Sequence, residues 1–271
     1  VRRKCSVSLL ARCIRPLYVP HGKLARMAKK DTNKAAIALH KKLKGKIGIT
    51  PTMVAKTRDD LSLIYTPGVA AVSSLVARNP KLARDYTMKG KMVAVISDGS
   101  AVLGLGNIGP LGALPVMEGK CALFKTFANV DAFPLVLDTQ DPDKIIEAVM
   151  AVAPGFGGIN LEDIAAPKCF YIEEELKKRL DIPVMHDDQH GTAIVVLAGL
   201  INACKVTHRK LEKSKIVVVG AGAAGTAIVK LLNKYASPNI IMVDSRGIVA
   251  KSRTDLNEEK RALLEITNPK Q

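Results

Sequence analysis

Two pairs of adjacent acidic residues have the clearest potential for chemistry in this chain. Glu162 and Asp163 follow one short apolar run, and Asp187 and Asp188 follow another, 25 residues further along. If both runs are strands joined by one helix, the four carboxylates meet at neighbouring strand ends, where they repel unless a positive charge lies among them. Oxygen ligands suit a hard divalent ion. We therefore predict a Mg²⁺ or Mn²⁺ site; the alternative is that these acids cap helices or face water.

A glycine-rich sequence further along has the pattern of a dinucleotide-binding loop. It follows an apolar run that begins at Lys215, it opens a helical pattern, and Asp244 ends the next apolar run 19 residues after the last glycine. Such glycines allow a tight turn and a close approach of pyrophosphate to a helix N-terminus. The alternative is an α/β crossover without a ligand. The loop consists of Gly220, Ala221, Gly222, Ala223, Ala224 and Gly225.

The end of the second strand leaves the choice of dinucleotide open. Asp244 is suited to accept a hydrogen bond from the ribose 2′-hydroxyl, which favours NAD. Arg246, two residues later, is suited to the 2′-phosphate of NADP. The sequence is compatible with both cofactors.

An earlier glycine-rich sequence and two isolated residues are less specific. Gly104 to Gly109 also has the spacing of a dinucleotide loop, but we expect Pro110 and Gly112 to interrupt the helix that such a site needs. Lys120 precedes an apolar helical pattern; if it is buried there, its pKa falls and it can act as a base. The alternative for Lys120 is a surface lysine, and for Tyr65 a half-buried core residue.

Alternating strand and helix patterns between residues 92 and 188 predict a parallel α/β unit. The fold class is therefore α/β, with a parallel-sheet domain over 31–188 and a Rossmann dinucleotide-binding domain over 189–271. Residues 1–30 lie outside both. The predicted strands are 92–97, 130–137 and those that end before the acid pairs and at the second glycine-rich loop. The predicted helices include 31–44, 69–76, 143–153, 168–180 and 192–206.

Composition restricts the class of protein further. Of the 271 residues, 48% are apolar but only 4% aromatic, which is typical of α/β cores built from aliphatic residues. The net charge of +16 is concentrated in residues 1–50, which carry +13, while 51–271 carry only +3. This argues against a nucleic-acid-binding fold. No apolar run approaches the length of a membrane span, and the five cysteines have no paired spacing, so we predict no membrane helix and free thiols.

The first 26 residues are rich in arginine and lack acids, as organelle transit peptides do. Alternatively, Met27 is an ordinary start and the preceding residues are upstream or added sequence. The first reading implies an organelle matrix and the second a cytoplasmic protein, which we favour.

Four motifs in order resemble those of the malic enzymes, most closely the short bacterial-type branch. They are Tyr65-Thr-Pro-Gly-Val-Ala, Glu118-Gly-Lys120, the two acid pairs, and the second glycine-rich loop. The similarity runs from about residue 33 to 265. It implies oxidative decarboxylation of malate to pyruvate and CO₂ with reduction of NAD or NADP, a Mg²⁺ or Mn²⁺ ion, and a homo-oligomer.

The resemblance also implies roles for individual residues. Tyr65 matches the family's general acid, and Lys120 matches the general base that also contacts substrate. Asp187 matches the neighbour of a metal ligand and is expected to orient it, and the loop 220–225 matches the cofactor phosphate site. The metal ligands matched are Glu162, Asp163 and Asp188.

Two departures from the family pattern are visible. Ala101 stands where the animal-type branch has a substrate-binding arginine, and the family's cofactor domain continues well beyond the second Rossmann strand. The alternative function is therefore a catalytically incomplete fragment or a non-catalytic partner chain. An amino-acid dehydrogenase is disfavoured because it needs no metal acids, and a nucleic-acid binder has only the basic arm in its favour.

Overall fold

The structure is a computed structural model that describes residues 32–268. The chain divides into two compact units, residues 1–44 and 45–271. The described part of the first unit is one helix, α1 (Thr32–Leu43), which confirms the helix predicted there. The expected transit sequence, residues 1–26, lies outside the described residues and stays a prediction.

The second unit begins with a helical region in which no helical residue is fully buried. It contains α2 (Arg58–Ile64), α3 (Val69–Arg78) and α4 (Ala83–Tyr86), with 3₁₀ turns at Pro80–Leu82 and Met88–Gly90. The stretch 58–78 is long and apolar enough to pass for a membrane span by length and composition. It is divided at Pro67 into two helices of 7 and 10 residues, and each is shorter than a span of roughly 20 residues requires.

A four-stranded parallel sheet forms the centre of the part of the chain before residue 187. Its strands are β1 (Met92–Ser97), β2 (Asp131–Val136), β3 (Gly158–Leu161) and β4 (Val184–His186), in the order β2-β1-β3-β4. Ile96 pairs with Leu161, and Leu161 with His186. The carboxyl ends of three strands are therefore level, and the residues that follow them share one edge of the sheet.

Helices cover both faces of this sheet, because successive residues of β1 point to opposite sides. Ala94 and Ile96 pack with α6 (Pro142–Val152) and α7 (Lys168–Arg179), while Val95 packs with α5 (Gly109–Leu123). A π turn at Phe124–Ala128 extends α5, and a 3₁₀ turn at Ala153–Gly155 follows α6. Both faces of the sheet are thus buried, as aliphatic parallel strands require.

Two helix starts differ from those predicted. Pro110 does not interrupt a helix: it lies in the first turn of α5, where its missing N–H costs no hydrogen bond. The helix predicted from residue 192 is α8 (Asp187–Val206), which begins directly after β4. The first turn of α8 contains acidic residues, which the helix dipole favours at that position. Because these residues are polar, the apolar periodicity begins later than the helix does.

The second glycine-rich loop follows the first strand of a second sheet. Strands β5 (Lys215–Val219) and β6 (Asn239–Asp244) are parallel and joined by α9 (Ala223–Ala236), as predicted. The short β7 (Gly247–Ile248), antiparallel to β6, and α10 (Glu258–Leu263) were not predicted, nor was a 3₁₀ turn at Leu211–Lys213. Leu197 and Ile201 of α8 pack on the core of this second sheet. The structure confirms the predicted α/β class with two sheets.

Candidate active site

The two acid pairs come together at the edge of the first sheet. One carboxylate oxygen from each of Glu162, Asp163 and Asp188 lies within 4.8 Å of the other two. The backbone N–H of Asp163 donates to Oδ2 of Asp188 at 2.9 Å, which ties the residues after β3 to the start of α8. Level strand ends therefore produce the juxtaposition that the spacing in the sequence predicts.

The chemistry of this cluster fits a hard divalent cation. Oδ2 of Asp163 is buried and has no hydrogen-bond partner among the described residues. Burial, together with the charge of Asp188, raises the pKa of Glu162 to about 7 and that of Asp163 to about 6. Carboxylates that are hard to ionise alone are stabilised as anions by a cation among them. Glu162, Asp163 and Asp188 are thus suited to hold Mg²⁺ or Mn²⁺ through oxygen.

Lys120 lies beside the acids but inside α5 rather than before a helix, which corrects the predicted placement. Its Nζ is 2.7 Å from Oδ2 of Asp187 and 3.1 Å from Oε1 of Glu162. Burial lowers the pKa of Lys120, but the hydrogen bond to Asp187 and the charge of Glu162 outweigh it, so the pKa lies above its usual range. The expectation that burial would lower this pKa is therefore wrong for this arrangement.

Asp187 contacts Lys120 because a glycine leaves room for it. A Cβ atom at Gly191 would lie 2.3 Å from Oδ1 of Asp187, far inside van der Waals contact. Asp187 thus contacts the lysine, and its expected role of orienting the neighbouring metal ligand Asp188 stays a prediction. The glycine in His190-Gly191-Thr192 is the signal in the sequence that this close approach required.

A buried carboxylate that sequence reasoning missed supports the same helix start. Glu173 of α7 accepts from the backbone N–H of His186 at 2.9 Å, and lies 2.9 Å from Nε2 of His190 and 2.8 Å from Nζ of Lys177. Burial raises the pKa of Glu173, but these hydrogen bonds, led by the one to His190, lower it to about 2. Glu173 therefore fixes the junction of β4 and α8 from behind the acid cluster.

His186 connects this support to the cluster. It is fully buried, and its Nε2 lies 3.3 Å from Oδ2 of Asp188. Its Nδ1 is 3.0 Å from Nε2 of Gln189. Burial raises the pKa of Asp188, but His186 and the backbone N–H of Asp163 lower it to below its usual value. A chain of polar contacts therefore runs from α7 to a candidate metal ligand.

The loop that follows β1 packs against the acid cluster. Asp98 is fully buried and lies 2.5 Å from Nζ of Lys168, while Ser100 donates to Asp98 at 2.6 Å. The backbone N–H of Ala101 donates to the carbonyl of Asp163 at 3.0 Å. The first glycine-rich sequence, residues 104–109, thus continues this loop up to the first residue of α5. Sequence reasoning did not single out Asp98 or Lys168.

Tyr65 is not part of this constellation within its own chain. It ends α2, it is 66% exposed, and in the described part of the chain it makes no hydrogen bond to Lys120 or to any of the four acids. Its assignment as a general acid therefore stays a prediction from the motif.

The second glycine-rich loop has the geometry of a phosphate-binding turn. Gly220 has a φ of 109°, which favours glycine, and a Cβ atom at Gly225 would lie 1.9 Å from the carbonyl oxygen of Gly220. No atom lies within 4 Å of the corresponding position at Gly222. The loop is thus tightly packed where helix and strand meet and has open space at Gly222. Helix α9 begins at Ala223, and the N–H groups of its first turn point to where a pyrophosphate would bind.

Asp244 ends β6 as predicted, but its surroundings differ from those of a free ribose acceptor. It accepts from Arg253 at 2.8 Å and from Lys260 at 2.7 Å, and its side chain is 8% exposed. The hydrogen bonds from Arg253, followed by that from Lys260, hold its pKa well below the usual range.

Two protein-family models match consecutive parts of the chain. Residues 44–177 match "Malic enzyme, N-terminal domain", and residues 189–270 match "Malic enzyme, NAD binding domain". The boundary between the two matches falls beside the start of α8.

Characterised proteins show the same similarity. The chain is 56% identical over 225 residues to an NAD-dependent malic enzyme of Geobacillus stearothermophilus, covering 83% of this chain and 47% of that protein. It is 54% identical over 234 residues to a bifunctional malic/malolactic enzyme of Bacillus subtilis, covering 86% and 57%. An NADP-dependent malic enzyme of Escherichia coli is 49% identical over 226 residues, covering 83% and 30%.

Solved structures agree in fold. The NAD-dependent malic enzyme of Thermotoga maritima superposes with a TM-score of 0.83 at 52% identity, covering 86% of this chain and 63% of that one. A malic enzyme of Pyrococcus horikoshii gives 0.81 at 46% identity, covering 88% and 57%. The chain thus spans about half the length of the first two characterised relatives.

Proposed function

Because the chain belongs to the malic enzyme family, we propose that it catalyses the oxidative decarboxylation of malate to pyruvate and CO₂ with reduction of NAD or NADP. The observation that carries the proposal is the contact of Lys120 with Asp187 and Glu162 beside the acid cluster. This chemistry needs a base next to oxygen ligands for a metal, and a site for a dinucleotide. Lys120, the three carboxylates and the glycine-rich loop supply these groups in one chain. The relatives are NAD- and NADP-dependent malic enzymes, which supports malate as the substrate.

The residues of the chain have distinct parts in this proposal. Glu162, Asp163 and Asp188 hold Mg²⁺ or Mn²⁺, which when bound polarises the substrate oxygens as a Lewis acid. Lys120 accepts the proton of the C2 hydroxyl through Nζ, positioned by Asp187. Tyr65 donates a proton to C3 after CO₂ leaves. The loop 220–225 would hold the pyrophosphate of NAD or NADP, and the nicotinamide of the bound cofactor would supply the acceptor for the hydride of C2.

The protonation of Lys120 is central to this mechanism. Its contacts with Glu162 and Asp187 favour the charged form, whereas a general base must be neutral. The base function therefore requires the effect of both carboxylates on Lys120 to be offset, as a cation held by Glu162 would do. Glu162 would therefore link the occupancy of the metal site to the protonation state of Lys120.

The assay that tests the function uses the purified 271-residue chain with malate, Mn²⁺ and either NAD or NADP. Formation of pyruvate and NADH or NADPH in equal amounts is the expected result. Absence of turnover, with neither Mn²⁺ nor adenine nucleotide bound, would contradict the proposal.

A second candidate is a catalytically incomplete fragment or a non-catalytic partner chain. The edge strand β5 favours it: Val217 and Val219 are 59% and 82% exposed, as expected of a sheet face that another part of a protein covers. Under this alternative the chain binds Mn²⁺ and adenine nucleotide without turnover, and restoring the relatives' additional length restores activity.

The domain division that we propose places residues 31–188 in a substrate and metal domain and 189–271 in a dinucleotide domain. Two separate sheets and the two family matches support it. Helix α8 starts at the metal ligands and packs on the second sheet, so it joins the domains without a flexible linker.

We also propose that the chain forms a homo-oligomer through α2 and α3. Neither helix has a buried residue, and Leu61, Leu63 and Ile64 are 51%, 70% and 42% exposed. Large apolar side chains exposed close together in this way are typical of an association site in soluble proteins. A second copy is the partner proposed, because the motif residue Tyr65 directly follows Ile64, is 66% exposed, and makes no hydrogen bond to the four acids of its own chain in the described residues.

A further inference from the structure

The carboxyl end of β6 carries a cluster of three cations around two carboxylates, which we call the ribose-end cluster. Arg253 bridges the two acids, with Nη1 2.8 Å from Oδ1 of Asp244 and Nη2 2.6 Å from Oδ2 of Asp255. Arg246 is 2.9 Å from Asp255, and Lys260 is 2.7 Å from Asp244. The cluster has more cations than anions. Its members are Asp244, Arg246, Arg253, Asp255 and Lys260.

Asp244 has no free acceptor position for a ribose hydroxyl. Its Oδ1 accepts from Arg253 and from the backbone N–H of Arg246 at 2.9 Å, and its Oδ2 accepts from Lys260 and from Nη2 of Arg253 at 3.2 Å. A carboxylate has about four lone-pair positions, and four donors occupy them here. Asp244 thus supports the surrounding cations and does not serve as the open acid typical of NAD sites.

The charge of the cluster also removes the usual obstacle to a 2′-phosphate. A free carboxylate at this strand end repels that phosphate, whereas Asp244 is neutralised by Arg253 and Lys260. The side chain of Arg246 is 71% exposed, and among the described residues its guanidinium has one side-chain partner, Asp255. A guanidinium has five N–H donors, so several remain available for phosphate oxygens.

We propose that the ribose-end cluster, with Arg246 as the contact residue, binds the 2′-phosphate of the adenine ribose, so that the chain prefers NADP to NAD. The inference rests on the proposed dinucleotide loop but not on turnover of malate. Arg246 lies two residues past the strand end at which the adenine ribose sits in this fold. The cations that occupy the acceptor positions of Asp244 also attract the doubly charged 2′-phosphate to this strand end.

The test is calorimetric titration of the 271-residue chain with adenosine 2′,5′-bisphosphate and with AMP. The two probes differ only in the 2′-phosphate, and both need only β5, α9 and β6. We expect the bisphosphate to bind at least about tenfold more tightly than AMP, as a charge-assisted Arg–phosphate contact requires. Arg246→Ala should reduce this ratio to near one.

Lys234→Ala is the matched control, because it removes one exposed positive charge near the far end of α9. It should leave the ratio unchanged. Any one of four results would overturn the proposal. They are equal or tighter binding of AMP, an unchanged ratio in Arg246→Ala, an equal effect of Lys234→Ala, and no binding of either nucleotide. A reversed preference with normal malate turnover would overturn this inference alone, whereas loss of turnover with the expected ratio would count only against the proposed function.

Discussion

At the scale of residues, five side chains from three parts of the chain form the clustered part of the candidate site. Lys120 comes from α5, Glu162 and Asp163 follow β3, and Asp187 and Asp188 open α8. Their types and spacing predicted the acid cluster, because parallel strands end at one edge. The pKa of Lys120 was not predictable, since it depends on distances to two carboxylates that only the fold sets.

Lys120→Ala is predicted to lower kcat by roughly 10²-fold or more, because a positioned general base contributes that much. Turnover of malate is the measurement. Lys125→Ala is the control: it removes a lysine of the next helical turn whose partner is the surface residue Asp131. Comparable activity in the two variants would remove Lys120 from the catalytic residues.

Glu173→Gln is predicted to lower the free energy of unfolding at pH 7 by about 2 kcal/mol. The pKa of Glu173 is lowered to about 2 because the folded state stabilises its ionised carboxylate, and the substitution removes that charge. The sign follows from linkage: this stability is present above the unfolded pKa near 4.5 and is lost as pH falls towards 2. Urea unfolding between pH 7 and pH 3 measures it. Glu174→Gln, at an exposed neighbouring position, should be near neutral, and equal losses in both variants would contradict the account.

At the scale of elements, apolar periodicity predicted the strands and most helices. It failed where polar residues begin a helix, as in α8, and where a proline occupies a first turn, as in α5. The short β7 and α10 were missed because their pairing depends on tertiary contacts, and Glu173 was missed because a lone acid on a charged helix has no periodic signal. Asp98 and Lys168 are 70 residues apart, so their ion pair follows only from the assembled sheet.

Gly225→Ala is predicted to disrupt the junction of β5 and α9, because its Cβ would meet a backbone oxygen at 1.9 Å. We expect lower thermal stability and weaker AMP binding. Gly199→Ala is the control, since no atom lies within 4 Å of its Cβ position and alanine favours a helix by up to about 1 kcal/mol. Equal AMP affinity in both variants would argue against the close packing of this loop.

At the scale of the whole molecule, the described chain joins a buried α/β unit to an exposed helical region and to an edge strand with an open face. The two Bacillus-type relatives described above are about twice as long as the part matched here, and the Escherichia coli relative is about three times as long. Sequence motifs identified the family because their order is specific, whereas the exposure of α2 and α3 followed only from the structure.

Leu63→Lys is predicted to shift the chain from oligomer to monomer, because it places a charge in the apolar surface proposed to bind a second copy. Light scattering after size exclusion measures the mass. Val206→Lys, at a position that is 79% exposed at the end of α8, should leave the mass unchanged. A wild-type monomer, or an oligomer unaffected by Leu63→Lys, would contradict the proposed surface.

The central claim is that Glu162, Asp163 and Asp188 hold one divalent cation beside Lys120. Electron paramagnetic resonance of Mn²⁺ titrated into the purified chain tests it directly, with Asp188→Asn as the variant and Asp181→Asn, at an exposed position, as the control. The account predicts one tight Mn²⁺ site per chain that Asp188→Asn abolishes and Asp181→Asn retains. Tight Mn²⁺ binding that survives Asp188→Asn, or no tight binding by the wild-type chain, would contradict it.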